Sequence, residues 1–237
     1  MTTQTQPIEL YYTGTPNGRK ITIMLEELGV PYTIDWINIG KGDQFTPEFL
    51  AISPNNKIPA IVDPEGPGGA PISVFESGAI LKYLALKFGK FYPADPRAQV
   101  KVDEWLFWQV GGFGPMLGQN NHFSVYAPEK IPYAIKRYKD ETHRLFRVLD
   151  TQLGKMFAAG KDYVAGDFSI ADIAIVDWSN SYLRYEIDPE TFKNFVTWRD
   201  RMVARDGVKR ALAIQPPAPP SDLATDKEAH KVLFNQR

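Results

Sequence analysis

Residues 53–85 read SPNNKIPAIVDPEGPGGAPISVFESGAILKYLA. An Asn-rich loop leads into two short runs, IPAIVD and PISVFE. The PEGPGGA between them, dense in Gly and Pro, fits a hairpin connection rather than a crossover helix. The two runs therefore read as an antiparallel pair. At Ser77 the period changes, and Ile80, Leu81 and Leu84 recur at helical spacing.

Upstream, IELYYT (Ile8 to Thr13) is a short β-prone run, and Ile21, Met24, Leu25 and Leu28 then share one helical face that ends at Gly29. YTIDWIN (Tyr32 to Asn38) alternates like a strand, and PEFLAIS supplies one or two helical turns before PNNK. A β-α-β-α unit thus precedes the hairpin and its helix, which predicts an α/β domain over 1–93. The Pro- and Gly-rich GKFYPADPR marks its end. From 97 to 214 the pattern is helical throughout, with Tyr138, Thr142, Leu145, Phe146, Leu149, Leu153 and Met156 forming one long stripe. Within it, Ser169 and Asp172 have the spacing of a capping box, and GGFGPMLG reads as a helix-ending packing feature. Residues 215–237 are a Pro-rich tail with room for a short terminal helix and little expected part in either core.

Composition removes several function classes. Lys and Arg number 27 against 28 Asp and Glu, with no block of like charge, so neither nucleic acid nor a membrane surface is an expected partner. No apolar run reaches membrane-spanning length and no leader pattern opens the chain, which reads as soluble and cytoplasmic. The 237 residues contain no cysteine, so any thiol chemistry must use a borrowed sulfur. No GxSxG, GxxxxGK or HExxH occurs, and His122, His143 and His230 lack metal-ligand spacing, so no metal is expected.

The strings TPNGRKI, GKGDQFTPEFLAISPNNKIPAIVD, FESGAILKYLA and WLFWQVGGFGPMLGQNNHF carry a resemblance over roughly residues 8 to 214. The chain resembles a cytosolic glutathione transferase. Within that superfamily it is most similar to the bacterial nu class, the disulfide-bond oxidoreductase type, and to fungal nitrogen-regulator-like relatives. The resemblance implies a thioredoxin-like N-terminal domain with a mixed four-stranded sheet, an all-α C-terminal domain, a homodimer, and glutathione as co-substrate.

It also implies site residues. Ile58-Pro59 takes the place of the cis X-Pro bond before the third strand, with the Ile58 backbone pairing with the cysteinyl unit of glutathione. Glu76 and Ser77 receive the γ-glutamyl end, Lys57 the glycine carboxylate, and Gln44 neighbours it. Thr15, at the end of strand 1, stands where related redox proteins keep a cysteine, and with Asn17 stabilises the glutathione thiolate. Gln119, Asn120 and Arg137 hold a second glutathione or the second half of glutathione disulfide. Each has a plainer reading on residues alone: Ser77 a helix cap, Thr15-Pro16-Asn17-Gly18 a turn with Pro near the first helical position, Lys57 and Gln44 solvated loop side chains. The leading functional expectation is thiol–disulfide reduction of small disulfides by bound glutathione. Conjugation of an electrophile, peroxide reduction, and a regulator that binds a protein partner stay open beside it.

Overall fold

The computed structural model describes residues 4–217 and 225–234. Strand β1 (Ile8–Tyr12) buries Ile8, Leu10 and Tyr12 on one face. It pairs in parallel with β2 (Tyr32–Trp36), Leu10 opposite Ile34, and antiparallel with β3 (Ala60–Asp63), Leu10 opposite Ile61. Strand β4 (Ile72–Phe75) closes the hairpin on β3, which gives the sheet order β2-β1-β3-β4. The turn between β3 and β4 needs a glycine for room: a Cβ on Gly66 would lie 2.5 Å from the Ala70 carbonyl oxygen and 2.7 Å from the Ile72 side chain.

Helix α1 (Pro16–Leu28) starts at Thr15, ends at Gly29 in the left-handed region (φ 70), and buries the face read from its spacing, Ile21, Met24, Leu25 and Leu28. Helix α2 (Pro47–Ile52), capped by Thr46, leads into the loop before β3, and α3 (Ser77–Phe88) packs beside α1.

The chain divides into two compact units: the residues up to Phe88 together with those from Arg210 onward, and Gly89–Lys209. Sequence reasoning treated everything beyond 214 as a tail apart from both cores. Instead, α10 (Lys227–Phe234) belongs to the sheet-containing unit, with Ala229 buried to 2% exposure and Val232 against Gly42.

In the helical unit, α4 (Pro96–Trp108) runs through one π turn (Gln109–Phe113) into α5 (Gly114–Asn121), and a second π turn follows (His122–Tyr126). The glycine run therefore does not end the helix. Its glycines admit an indole: a Cβ on Gly114 would lie 3.3 Å from the Trp178 ring and one on Gly118 3.4 Å from it. Helix α6 (Pro132–Ala158) buries Thr142, Leu145, Phe146, Leu149 and Leu153, and the Phe146 ring meets Phe113 and Phe195 at 5.3 and 5.1 Å. Helix α7 (Ile170–Ser179) is buried nearly all round, as its apolar run requires. Helix α8 (Lys193–Ala204) follows, and α9 (Asp206–Ala213) carries the chain out of this unit, its residues from Arg210 onward belonging to the sheet-containing one.

Candidate functional site

A cavity of about 300 Å³ opens in the sheet-containing unit where the loop after α2, the entry to β3 and the β4–α3 junction converge. Asn17 of α1 lines it, with Asn55, Lys57 and Ile58 from the loop and Phe75, Glu76 and Ser77 from the junction. Ile58-Pro59 is cis, and strand pairing begins only at Ala60, so the sheet does not take up the Ile58 peptide that lines the cavity.

The loop is held by its own polar groups. The buried Ser53 hydroxyl donates to the Lys57 carbonyl at 2.9 Å, and Asn55 Nδ2 donates to Glu76 Oε1 at 3.3 Å. Glu76 adopts φ 69, a left-handed conformation that costs a non-glycine residue on the order of 1 kcal/mol or more and concentrates at functional sites. There its carbonyl accepts from Ile80 N–H to open α3, and the residue lines the cavity. Ser77 is 7% exposed, and its Oγ accepts from Lys20 Nζ at 3.3 Å.

The cavity gathers groups of both charges. Lys57 forms no ion pair among the described residues, and desolvation by the cavity wall pulls its pKa below the ordinary lysine value. A cation held without a counterion suits a ligand carboxylate. In the same cavity Glu76 offers a carboxylate to an ammonium, and the N-terminus of α3 with the Ser77 hydroxyl offers donors to an anion. A peptide-like zwitterion matches this set.

The turn before α1 is a helix cap. Thr15 is the N-cap: the Gly18 N–H donates to Thr15 Oγ at 3.2 Å, and the Arg19 N–H to the Thr15 carbonyl at 2.9 Å. Because the hydroxyl accepts in the cap, its own proton remains to be donated elsewhere. Gly18 is required by close approach, since a Cβ there would sit 2.3 Å from the Thr13 carbonyl oxygen. Thr15 itself is not part of the cavity wall; Asn17, two residues on, is.

Other expected positions lie elsewhere. Gln44 is 4% exposed and turned inward, donating to the Ile39 carbonyl at 3.1 Å, so it is not the solvated loop residue its sequence context indicated. In the helical unit, Asn120 is 5% exposed; its Nδ2 donates to Thr142 Oγ1 and its Oδ1 accepts from Ser124, both at 3.1 Å, so both ends of the amide are engaged internally. Gln119 and Arg137 are exposed, and Arg137 reaches Glu141 at 3.4 Å one turn on. Sequence reasoning passed over Ser53, Asn55, Phe75 and Lys20. The "SPNN" cluster before Lys57 was the available signal for the first two, since Ser and Asn fix loop backbones through short-range hydrogen bonds.

Among the described residues no group of His, Asp or Glu is placed to hold a metal, and no helix is long and apolar enough to cross a membrane.

Residues 15–87 match the family model for the glutathione S-transferase N-terminal domain, and residues 120–206 that for the C-terminal domain. The chain is 50% identical over 207 residues to the disulfide-bond oxidoreductase YfcG of Escherichia coli K12, covering 86% of this chain and 94% of that protein. Among solved structures, a glutathione transferase from Pseudomonas putida with one glutathione disulfide bound per subunit superposes with a TM-score of 0.82 at 40% identity, over 89% of this chain and 92% of that one. A glutathione transferase family member from Pseudomonas fluorescens Pf-5 with two glutathione bound gives 0.81 at 42% identity, over 88% and 93%.

Proposed function

The chain belongs to the glutathione S-transferase family, and we propose that it is a glutathione-dependent thiol–disulfide oxidoreductase that reduces small disulfides. The observation that carries the reading is the set of groups gathered in one cavity: Lys57, without an ion pair among the described residues, the Ile58 peptide, and Glu76 and Ser77 at the start of α3. Glutathione presents the complementary set, a glycine carboxylate, a cysteinyl peptide, and an ammonium beside a carboxylate.

The sulfur must come from glutathione because the chain has none of its own to offer as a thiol. A free thiol with a pKa near ~8.5 is mostly neutral at pH 7. The Thr15 hydroxyl proton, Asn17 and the N-terminal amides of α1 stabilise the thiolate and lower that pKa. The thiolate attacks one sulfur of a disulfide, forming a mixed disulfide and releasing the other sulfur as thiolate. A second glutathione thiolate then attacks the glutathionyl sulfur, so that glutathione disulfide and the second substrate thiolate leave. Two glutathiones are oxidised and one disulfide is reduced. Gln119 and Arg137 are the groups assigned to the second glutathione, with Arg137 as carboxylate fork; the engaged Asn120 serves by fixing the helix that carries Gln119. The proposal includes a homodimer in the cytoplasm.

The test is ultraviolet titration of bound glutathione together with a comparison of activities. The thiolate band is expected to persist well below pH 8 in the wild type and to move to higher pH in Thr15→Ala, with disulfide reduction far faster than aryl-halide conjugation. A titration unmoved by Thr15→Ala, with dominant conjugation, would overturn the reading.

A further inference from the structure

Lys20 lies on α1 three residues after Asn17, and so on the same face of that helix, yet it is only 1% exposed. A lysine is almost never this buried unless its head group is hydrogen-bonded. One partner is Ser77 Oγ, 3.3 Å from Nζ, and Ser77 is both the first residue of α3 and part of the cavity wall.

We propose that Lys20 is a positioning residue that turns the Ser77 hydroxyl into a donor for the α-carboxylate of the γ-glutamyl unit. The inference deepens the glutathione reading of this cavity and rests on it. An ammonium has donors and no acceptor, so in this contact Ser77 must accept. A hydroxyl with one lone pair taken by Lys20 directs its proton away from Lys20. Ser77 lines the cavity, so a ligand carboxylate there is an acceptor for that proton. Without Lys20 the hydroxyl is a free rotor, neither held toward the cavity nor polarised by the ammonium, and so a weaker donor to the anion. The buried positive charge acts in the same sense, through a medium of low dielectric where its field is screened less than at the surface. The stem of Lys20 fills space between α1 and α3, so removal of the donor must be tested with the volume kept.

The experiment measures glutathione binding by calorimetry to wild type, Lys20→Met, Lys20→Gln, Ser77→Ala and the Lys20→Met/Ser77→Ala double variant. It is repeated with 4-aminobutanoyl-cysteinylglycine, which keeps the amine and lacks only the α-carboxylate. Lys20→Met is expected to weaken glutathione about 10- to 100-fold, the range for a charge-assisted hydrogen bond, and to leave the analogue within about twofold. Lys20→Gln, which keeps a donor, recovers most of the loss. In the Ser77→Ala background Lys20→Met adds less than about threefold, because the group it orients is gone. Equal losses for both ligands, or additive losses in the double variant, would overturn the assignment and leave Lys20 a packing residue. If Lys20→Met fails to fold, Lys20→Gln decides: a loss as large for the analogue as for glutathione overturns it. Wild type that binds no glutathione overturns the functional reading and this inference with it, whereas tight wild-type binding with uncoupled variants strikes this inference alone.

Discussion

Among the described residues α1, α2 and α7 open on a hydroxyl cap, and the caps of α1 and α7 are put to opposite uses. At α7, Ser169 Oγ accepts from the Ala171 N–H while Asp172 reaches back to the Ser169 N–H and hydroxyl. Asp172 also accepts from the Val164 N–H and Trp198 Nε1, all in full burial. Every donor at that helix start has an answer. At α1, Thr15 caps Gly18 in the same way, but the residue at the answering position is Gly18 itself and no acidic side chain occupies the first turn. The positive end of α1 is left uncompensated beside the cavity. A capping box closes a helix start for stability, and withholding its carboxylate leaves an anion site.

The largest effect expected from breaking this contrast is on the closed cap. Asp172→Ala strands the donors of Val164, Ser169 and Trp198 in a dry interior and should cost about 3–5 kcal/mol in urea unfolding. The open cap should respond in function instead. Thr15→Ala is expected to lower disulfide reduction about 10- to 1000-fold in steady-state kinetics. Its cost in unfolding should be about 1 kcal/mol or less. A large stability loss with intact turnover would show that α1 is capped for the same purpose as α7.

Acid separates the two units by sign. Burial pushes the Asp172 carboxyl up to about 6 despite its four donors, so the folded helical unit binds a proton that the unfolded chain releases near ~4. Its contribution to stability is fully present below about 4 and is lost as pH rises through about 6, by about 3 kcal/mol at most. In the sheet-containing unit, burial of Asp63 acts to raise its pKa, but hydrogen bonds from Lys87, Tyr83, the Glu65 N–H and Gln4 outweigh it and hold the carboxyl below its usual value. That contribution is present at neutral pH and is lost as pH falls through the depressed value. Melting curves from pH 3 to 7 should show Asp63→Asn flattening the acid loss and Asp172→Asn flattening the opposing trend. The smallest effect belongs to Arg137, which is half exposed: Arg137→Ala should weaken a second glutathione by less than about 1 kcal/mol in calorimetry.

The parts of the fold legible in the sequence are those written in local chemistry. The hairpin followed from PEGPGGA, the α1 face from its spacing, and the Ser169–Asp172 box from two residue types three apart. The cis bond at Ile58-Pro59 was named through the family resemblance, since an X-Pro pair by itself favours trans. What escaped was written in tertiary burial. Lys20 looks like a surface residue in any periodic pattern, and only the packing of α1 beside α3 encloses it. Asn120 looks like a free amide until Thr142 and Ser124, one on α6 and one in the second π turn, engage both its ends. The glycine run looked like a stop because the ring it accommodates, Trp178, is about sixty residues away in sequence.

The return of the chain to its first unit changes the order in which the molecule is completed. Arg210 grips Glu26 through Nε to Oε2 at 2.6 Å and Nη2 to the carbonyl at 2.8 Å, and Val232 lies against Gly42. On a ribosome the sheet emerges before the helical unit begins, yet the residues that finish packing around it emerge after that unit is complete. Anything joined after Phe234, an affinity handle or a fused reporter, therefore follows on from the sheet-containing unit, and a nascent chain stalled at residue 209 lacks the contacts that complete its oldest part.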